Sequence, residues 1–288
     1  MDGIVIVDKP QDWTSQDVVS KLRGVLHTKR IGHGGTLDPM ATGVLPVFVG
    51  RGTMAVEFFE HAEKTYEATV QLGLTTDTED VWGNTLEEKQ VTVTEDEFLN
   101  ILPQFRGEIQ QVPPMYSAIK VNGQKLCNLA RKGKEVERPS RTVTIYELEC
   151  LEFTGSTAKL RVHCSKGTYI RTLCKDIGAA LGCGGCMAAL RRVTAGEYTI
   201  GEAVPLETIV NSSDPEQYLR PVDTVFAAYP AVTLTANQEK RCRNGNSFSI
   251  SLAEDTYRAY SQQGEFLMLA KVESGVMSTV KSFFQVEQ

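Results

Sequence analysis

Between Arg30 and Thr53 the chain reads RIGHGGTLDPMATGVLPVFVGRGT, and no other stretch limits the possible folds so strongly. Gly32, Gly34 and Gly35 leave the backbone free to turn sharply or to approach a ligand. A single acid, Asp38, follows and is held from behind by Pro39. The run Val44 to Val49 is then apolar, and short enough to be a buried strand. An acid on a rigid turn that feeds a core strand is where a scaffold can hold a reactive carboxylate. Spacing alone also admits a plainer reading, an Asp-Pro turn punctuated by loop glycines.

A chain of 288 residues has room for one large domain, or a large and a small one. No apolar run nears the roughly 18 residues of a membrane span, and Met1-Asp2-Gly3 leads straight into a strand-like IVIV. The seven cysteines are scattered and odd in number, as reduced thiols are, so the expected compartment is the cytoplasm. A net charge of −6 argues mildly against a nucleic-acid partner, but the distribution matters more. Eight acids and one base lie between Asp77 and Glu97. Seven bases and two acids lie between Lys120 and Arg141. Such a basic segment can grip a phosphate backbone, or be a solvated helix face.

Read in order, Gly3 to Asp8 is a strand, and Thr14 with Asp17 is a capping box for a helix running to about His27. Thr53 is expected to cap a short helix through Phe59. Thr65 to Leu72 alternates, with Tyr66, Ala68, Val70 and Leu72 on one face. Thr75 to Gly83 reads as an acidic loop, and Thr94 with Glu97 as a second capping box for a helix to Leu102. The prolines of Val112 to Ala118 confine that run to an edge or irregular extended form. Asn122-Gly123 signals a turn, and Leu126, Leu129 and Ala130 form a short helical stripe. Thr142 to Phe153 and Ala158 to Cys164 are expected strands. Thr168 is expected to cap a helix to about Leu181, with Ile170, Leu173, Ile177 and Ala180 inward. Arg171 in its first turn opposes the macrodipole and so invites an acidic or phosphate partner. Cys183-Gly-Gly-Cys186 is a glycine turn with free thiols rather than a metal or redox motif, since no second pair or histidine lies near. Met187 to Val193 is strand or helix. Prolines cluster from Asn211 to Tyr229, and short strands follow as a small β module. The expected class is α+β, with a largely antiparallel mixed sheet flanked by helices.

Five blocks, GIVIVDKP with TSQDVV, GHGGTLDPMATGVLPVFVG, KTYEATVQLG with TDTED, QVPPMYSAIKVNGQKL with LARKGKEVERPSR, and SKGTYIRTLCKDIGAALG with ALRRVTAGEY, occur in the order found in one family. Across Gly3 to Ile200 the chain resembles the TruB-type tRNA pseudouridine-55 synthases. The tail from Pro230 is similar only weakly, to a reduced PUA-like module. Four positions depart from the family pattern: Gly34 where threonine is common, Asp12 where glycine is, and Cys186-Met187 where a small residue and histidine are.

The resemblance implies a catalytic domain over 1–228, with a basic thumb at about 120–141, and a β module over 229–288. It implies isomerisation of uridine 55 in the tRNA T-loop, with no cofactor and no metal, on a base extruded from its stack. Asp38 would be the catalytic nucleophile or base, Tyr66 would stack on the uracil, and Arg171 would pair with Asp38. Leu190 would form an apolar wall, Asp80 would lie near Arg171, and His33 would fill the space that the flipped base leaves. Lys120, Lys132 and Lys134 of the thumb would grip RNA, and Lys9 and Lys64 complete the expected substrate contacts. The expected partner is the T-arm of tRNA, with no membrane, and the expected assembly is a monomer. Two other classes compete: a nucleotide-binding transferase with GHGG as phosphate cradle, which lacks a Walker lysine or a GxGxxG, and an RNA-binding protein that folds tRNA without modifying it.

Overall fold

The computed structural model describes residues 1–117, 119–121, 123–134 and 136–285, with backbone alone at 120, 121 and 125. Ala118 at the end of the proline-rich run, Asn122 of the expected turn and the side chain of Lys120 lie outside that description.

Local signals build the first elements. Helix α1 (Ser15–Val25) begins at Thr14, whose hydroxyl accepts the Asp17 N–H at 3.0 Å while Asp17 accepts the Thr14 N–H at 2.9 Å. Thr94 and Glu97 repeat the box at α2 (Glu95–Ile101). Ten strands then form one sheet: β1 (Gly3–Lys9), β2 (Ile31–His33), β3 (Thr42–Val49), β4 (Lys64–Leu72), β5 (Gly107–Gln111), β6 (Arg141–Phe153), β7 (Thr157–Cys164), β8 (Gly185–Ala195), β9 (Tyr198–Thr199) and β10 (Val204–Pro205). Their order is β10-β1-β3-β8-β4-β7-β6-β5, with β2 added to β3 and β9 to β8. The pairs β1–β10 and β3–β8 are parallel and the others antiparallel, so the sheet is mixed and largely antiparallel, as expected of this α+β chain.

Alternation gives the sheet two covered faces. On β3, Leu45, Val47 and Val49 join one core with α1 and with α3 (Ile170–Ala180), while Val44 and Phe48 join a second. Tyr66, Ala68, Val70 and Leu72 are all buried on the α1–α3 face, the alternation expected of β4. Gly34 fits the second core sterically: a Cβ there would come within 2.5 Å of Phe59 and 2.9 Å of Phe48. The two phenylalanine rings occupy the volume that a threonine would need.

Five further strands, β11 (Ala231–Thr233), β12 (Phe248–Ser249), β13 (Asp255–Tyr260), β14 (Phe266–Glu273) and β15 (Val276–Ser282), make the small C-terminal β module, in the order β11-β13-β14-β15-β12. It has its own core around Leu267, Met268 and Met277. Leu269 and Phe283 also pack into the second core with Phe48 and Phe226.

Several local expectations fail for identifiable reasons. Thr53 lies inside a 3₁₀ turn, Gly50–Ala55, where its hydroxyl donates to Gly50 O and does not cap a helix. Thr168 donates to Ser165 O, and Tyr169 takes the N-cap position of α3 without a side-chain cap. Ala180 is exposed, because the helix ends there beyond the last residue over the sheet. Met187 to Val193, which sequence leaves open between strand and helix, is strand, held inside β8 by β4. The acidic segment is partly ribbon, since Leu74–Thr76 pairs with Thr85–Glu88 around a turn. Among the described residues no helix is long and apolar enough to cross a membrane.

Candidate active site

Asp38 occupies the loop between β2 and β3, and that loop is clamped from α1 and the turn before it. Ser15 Oγ accepts the Leu37 N–H at 2.8 Å and donates to Leu37 O at 3.2 Å. Asp12, in left-handed backbone at φ 68°, donates its N–H to Pro39 O at 2.9 Å. Lys9, fully buried, donates its ammonium to Pro10 O at 2.8 Å and Trp13 O at 2.6 Å, and reaches Pro39 O at 3.4 Å. The backbone of Asp38 is thereby fixed while its carboxylate keeps 37% of its surface open.

Arg171 meets that carboxylate from the first turn of α3. Its Nε lies 2.9 Å from Asp38 Oδ2 and 3.9 Å from Asp80 Oδ2. The two remaining nitrogens donate to Thr78 O at 3.0 Å and Tyr116 O at 2.7 Å. The guanidinium is only 6% exposed, so each of its nitrogens has been given a partner, as burial of a cation requires. Asp80 is held in turn, its Oδ1 accepting the Thr78 hydroxyl at 2.7 Å and the Trp82 N–H at 3.1 Å. The start of α3 is fixed by Gln111 at the end of β5, which accepts the Tyr169 N–H at 3.0 Å and donates to Tyr169 O at 3.3 Å. The helix start is thus fixed from 58 residues away and not by the cap expected at Thr168.

Tyr66 and Leu190 stand on neighbouring strands, with Tyr66 opposite Arg192 and Leu190 opposite Ala68. Burial pushes the Tyr66 phenol above its ordinary pKa, with the nearby Arg192 guanidinium opposing the shift. Arg192 is itself buried and donates to Val44 O at 2.7 Å and Gly35 O at 3.2 Å.

These side chains border one cleft of about 1250 Å³, into which Asp38, Tyr66, Asp80, Arg171 and Leu190 all face. Lys64 and Lys132 line it as well. Lys64 is nearly buried, donates to Ala62 O and lies over the Phe59 ring, and desolvation lowers its pKa to about 8. Lys134 is exposed but outside the cleft lining. His33 is half-buried on β2, also off the lining, and its buried Nδ1 has no hydrogen-bond partner. Burial, with Arg192 adding to it, holds the imidazole below its usual pKa.

Lys9 is the clear departure from the expected substrate contacts. It does not reach the cleft, because three backbone carbonyls hold its ammonium beneath the Asp38 turn. Cys183 and Cys186 are buried free thiols flanking the Gly184 turn. Among the described residues no group of three or more His, Cys, Asp or Glu is arranged to hold a metal ion. Sequence reading missed Gln111, Arg192 and the carbonyls of Thr78 and Tyr116. Only Arg192 had a signal, as half of an arginine pair in an apolar strand.

The chain of a Cbf5–Nop10–Gar1 complex, known from a crystal structure, shares this fold with a TM-score of 0.74 and 26% identity over 99% of this chain and 85% of that one. Residues 23–170 match the TruB family pseudouridylate synthase N-terminal domain, and residues 171–227 match the tRNA pseudouridylate synthase B C-terminal domain. Fold and domain matches together define an isomerase of the pseudouridine synthase class. Two relatives are similar over most of their length. The tRNA pseudouridine synthase B of Clostridium kluyveri is 40% identical over 98% of this chain and 100% of its own. That of Azoarcus sp. strain BH72 is 48% identical over 81% and 79%. The chain belongs to the TruB family.

Proposed function

We propose that the protein converts the uridine at position 55 in the T-loop of tRNA to pseudouridine, acting as a monomer. The observation that carries this reading is the 2.9 Å pairing of Arg171 with Asp38 on the floor of a cleft that also holds Tyr66 and Leu190. The guanidinium pairs with the carboxylate and aims it, leaving the open part of Asp38 to face substrate. A carboxylate can add to the substrate and leave again while the bond from ribose to the uracil nitrogen breaks and one to a ring carbon forms. Atoms balance within the nucleotide, since the proton lost from that carbon is matched by one gained at nitrogen.

The target base must leave the T-loop stack to reach Asp38. Tyr66 stacks on it and Leu190 closes the apolar side, while Asp80 braces Arg171. His33, beside the Asp38 loop with an unpaired Nδ1, is the residue we assign to the space left behind. Lys64 and Lys132 face the cleft and meet phosphates, with Lys134 and Lys120 extending that contact along the thumb. Residues 1–228 act as the catalytic domain and 229–288 as a PUA-like module.

The test is pseudouridine mapping on an unmodified tRNA transcript and its T-arm hairpin, with purified protein and nothing added. Conversion at the single T-loop uridine is expected. Asp38→Asn should lower turnover by about 10³-fold or more while hairpin affinity stays within a few fold. Binding without conversion by the unaltered protein would favour a tRNA-folding role, and no binding at all would overturn the reading.

A further inference from the structure

The chain has two tryptophans, and they are used differently. Trp13 packs against the main core, whereas Trp82 is 52% exposed and lines the cleft. Its backbone is braced as firmly as that of Asp38. The Trp82 N–H is held by Asp80 Oδ1 at 3.1 Å, the preceding Val81 N–H donates to Met187 O at 3.0 Å, and the following Gly83 N–H donates to Asp80 O at 3.2 Å. Asp77 closes the turn by accepting the Asn84 N–H at 2.8 Å and its side-chain amide at 2.9 Å. Since Asp80 lies beside Arg171, the backbone that carries the indole stands at a fixed place relative to Asp38. An aromatic side chain carried at a cleft rim on a braced backbone loses less freedom when it binds than one on an unbraced loop.

Charge decides what that ring can meet. The segment carrying it lines the cleft with Thr78, Asp80 and Trp82 and with no basic side chain among its described residues, its Glu79 and Glu87 being paired already with Lys175 and Lys89. Arg131 and Lys132, of opposite sign, line the same cleft and are exposed. An RNA lying in this cleft has its phosphates drawn to the basic side, so the acidic side must be met by bases. Unpaired bases are bound by stacking on aromatic side chains, and stacking is insensitive to salt compared with phosphate contact.

We propose that Trp82 is a stacking platform for an unpaired RNA base other than the one that reacts. The inference rests on the function proposed above and adds a second base contact, on the acidic side of the cleft.

Intrinsic fluorescence tests it directly in the full-length protein, titrated with the T-arm hairpin. Binding should quench the emission, and Trp82→Phe should remove most of that change. Trp82→Ala should weaken hairpin affinity about five- to thirty-fold, with Trp82→Phe recovering most of the loss. The slope of log affinity against log salt should match the unaltered protein in both variants, because every phosphate-binding side chain is still present. Unchanged emission and affinity, in a protein that still converts the uridine, would sink this proposal alone. A changed salt slope, or equal losses for Phe and Ala, would mean that the loop and not the ring is responsible. An unaltered protein that neither binds nor converts the hairpin would overturn this proposal together with the function it rests on.

Discussion

The floor of the cleft and its basic rim are built in opposite ways. Around Asp38, contacts at 2.6–3.4 Å come from Lys9, Asp12, Ser15 and Arg171, and the last is itself tied to Thr78 and Tyr116. The basic rim is a two-residue ribbon, Lys120–Val121 with Gln124–Lys125, and a five-residue helix, Leu126–Ala130. Beyond it Arg131, Lys132 and Lys134 are exposed and, among the described residues, form no ion pair. Reactive geometry must be held to within tenths of an ångström, whereas a phosphate grip needs charge within reach and tolerates adjustment. The contrast predicts that substitutions on the floor change turnover, and those on the rim change affinity and its salt dependence.

After the loss of Asp38, the strongest way to break that contrast is Arg171→Lys. Lysine keeps the charge but cannot serve Asp38, Thr78 O and Tyr116 O together from one planar group. Turnover should fall on the order of thirty-fold, about 2 kcal/mol, with hairpin affinity nearly unchanged. Near-normal turnover in single-turnover assays would show that the pairing does not aim Asp38.

The rim should behave in the reverse sense. Replacing Arg131 and Lys132 by Ala should cost affinity at low salt and lower the salt slope by roughly 0.7 to 0.9 for each phosphate no longer neutralised. Saturated turnover should be preserved. An unchanged slope in filter binding from low to moderate salt would place the RNA backbone elsewhere, and a fall in turnover at saturation would erase the distinction between floor and rim.

What could be read from sequence follows the same division between local and distant interactions. The capping boxes at Thr14 and Thr94 need only residues three apart, and both formed. The apolar run Val44 to Val49 correctly indicated a strand covered on both faces. Arg171 was legible because an arginine in a first turn is locally unfavourable and calls for a partner. Its backbone acceptors, Thr78 and Tyr116, lie 93 and 55 residues away and leave no trace in composition. Gln111, which fixes the start of α3, is likewise an unremarkable residue in sequence. Lys9 misled for a related reason: it was expected to meet substrate, and only the packed Asp38 loop supplies the carbonyls that bury it.

Lys9 provides the smallest effect, and one that reports on the floor without RNA. Burial lowers its pKa from 10.5 to about 8, against the opposing pull of Asp38. Below pH 8 both folded and unfolded chains hold this proton, so the cost of burying the charge is fully present. Between about 8 and 10.5 the unfolded chain holds more of it, so this group makes stability rise with pH. From pH 7 to pH 9 its share is about 1 kcal/mol, or about 2–4 °C in melting temperature. Buried thiols act in the opposite direction above pH 9: burial pushes Cys164 up to about 12 and Cys186 and Cys242 up to about 11, so the unfolded chain loses those protons first. The comparison must therefore be made between proteins and below that range. Lys9→Met should melt lower at pH 7, its hydrogen bonds to the three carbonyls being gone, yet its melting temperature should rise less from pH 7 to pH 9 than that of the unaltered chain. Lys64 titrates in the same window and is untouched by the substitution, so part of the rise should survive. Parallel pH profiles for the two proteins would mean that the Lys9 ammonium is not desolvated under the Asp38 turn, and that the floor is looser than the rim comparison requires.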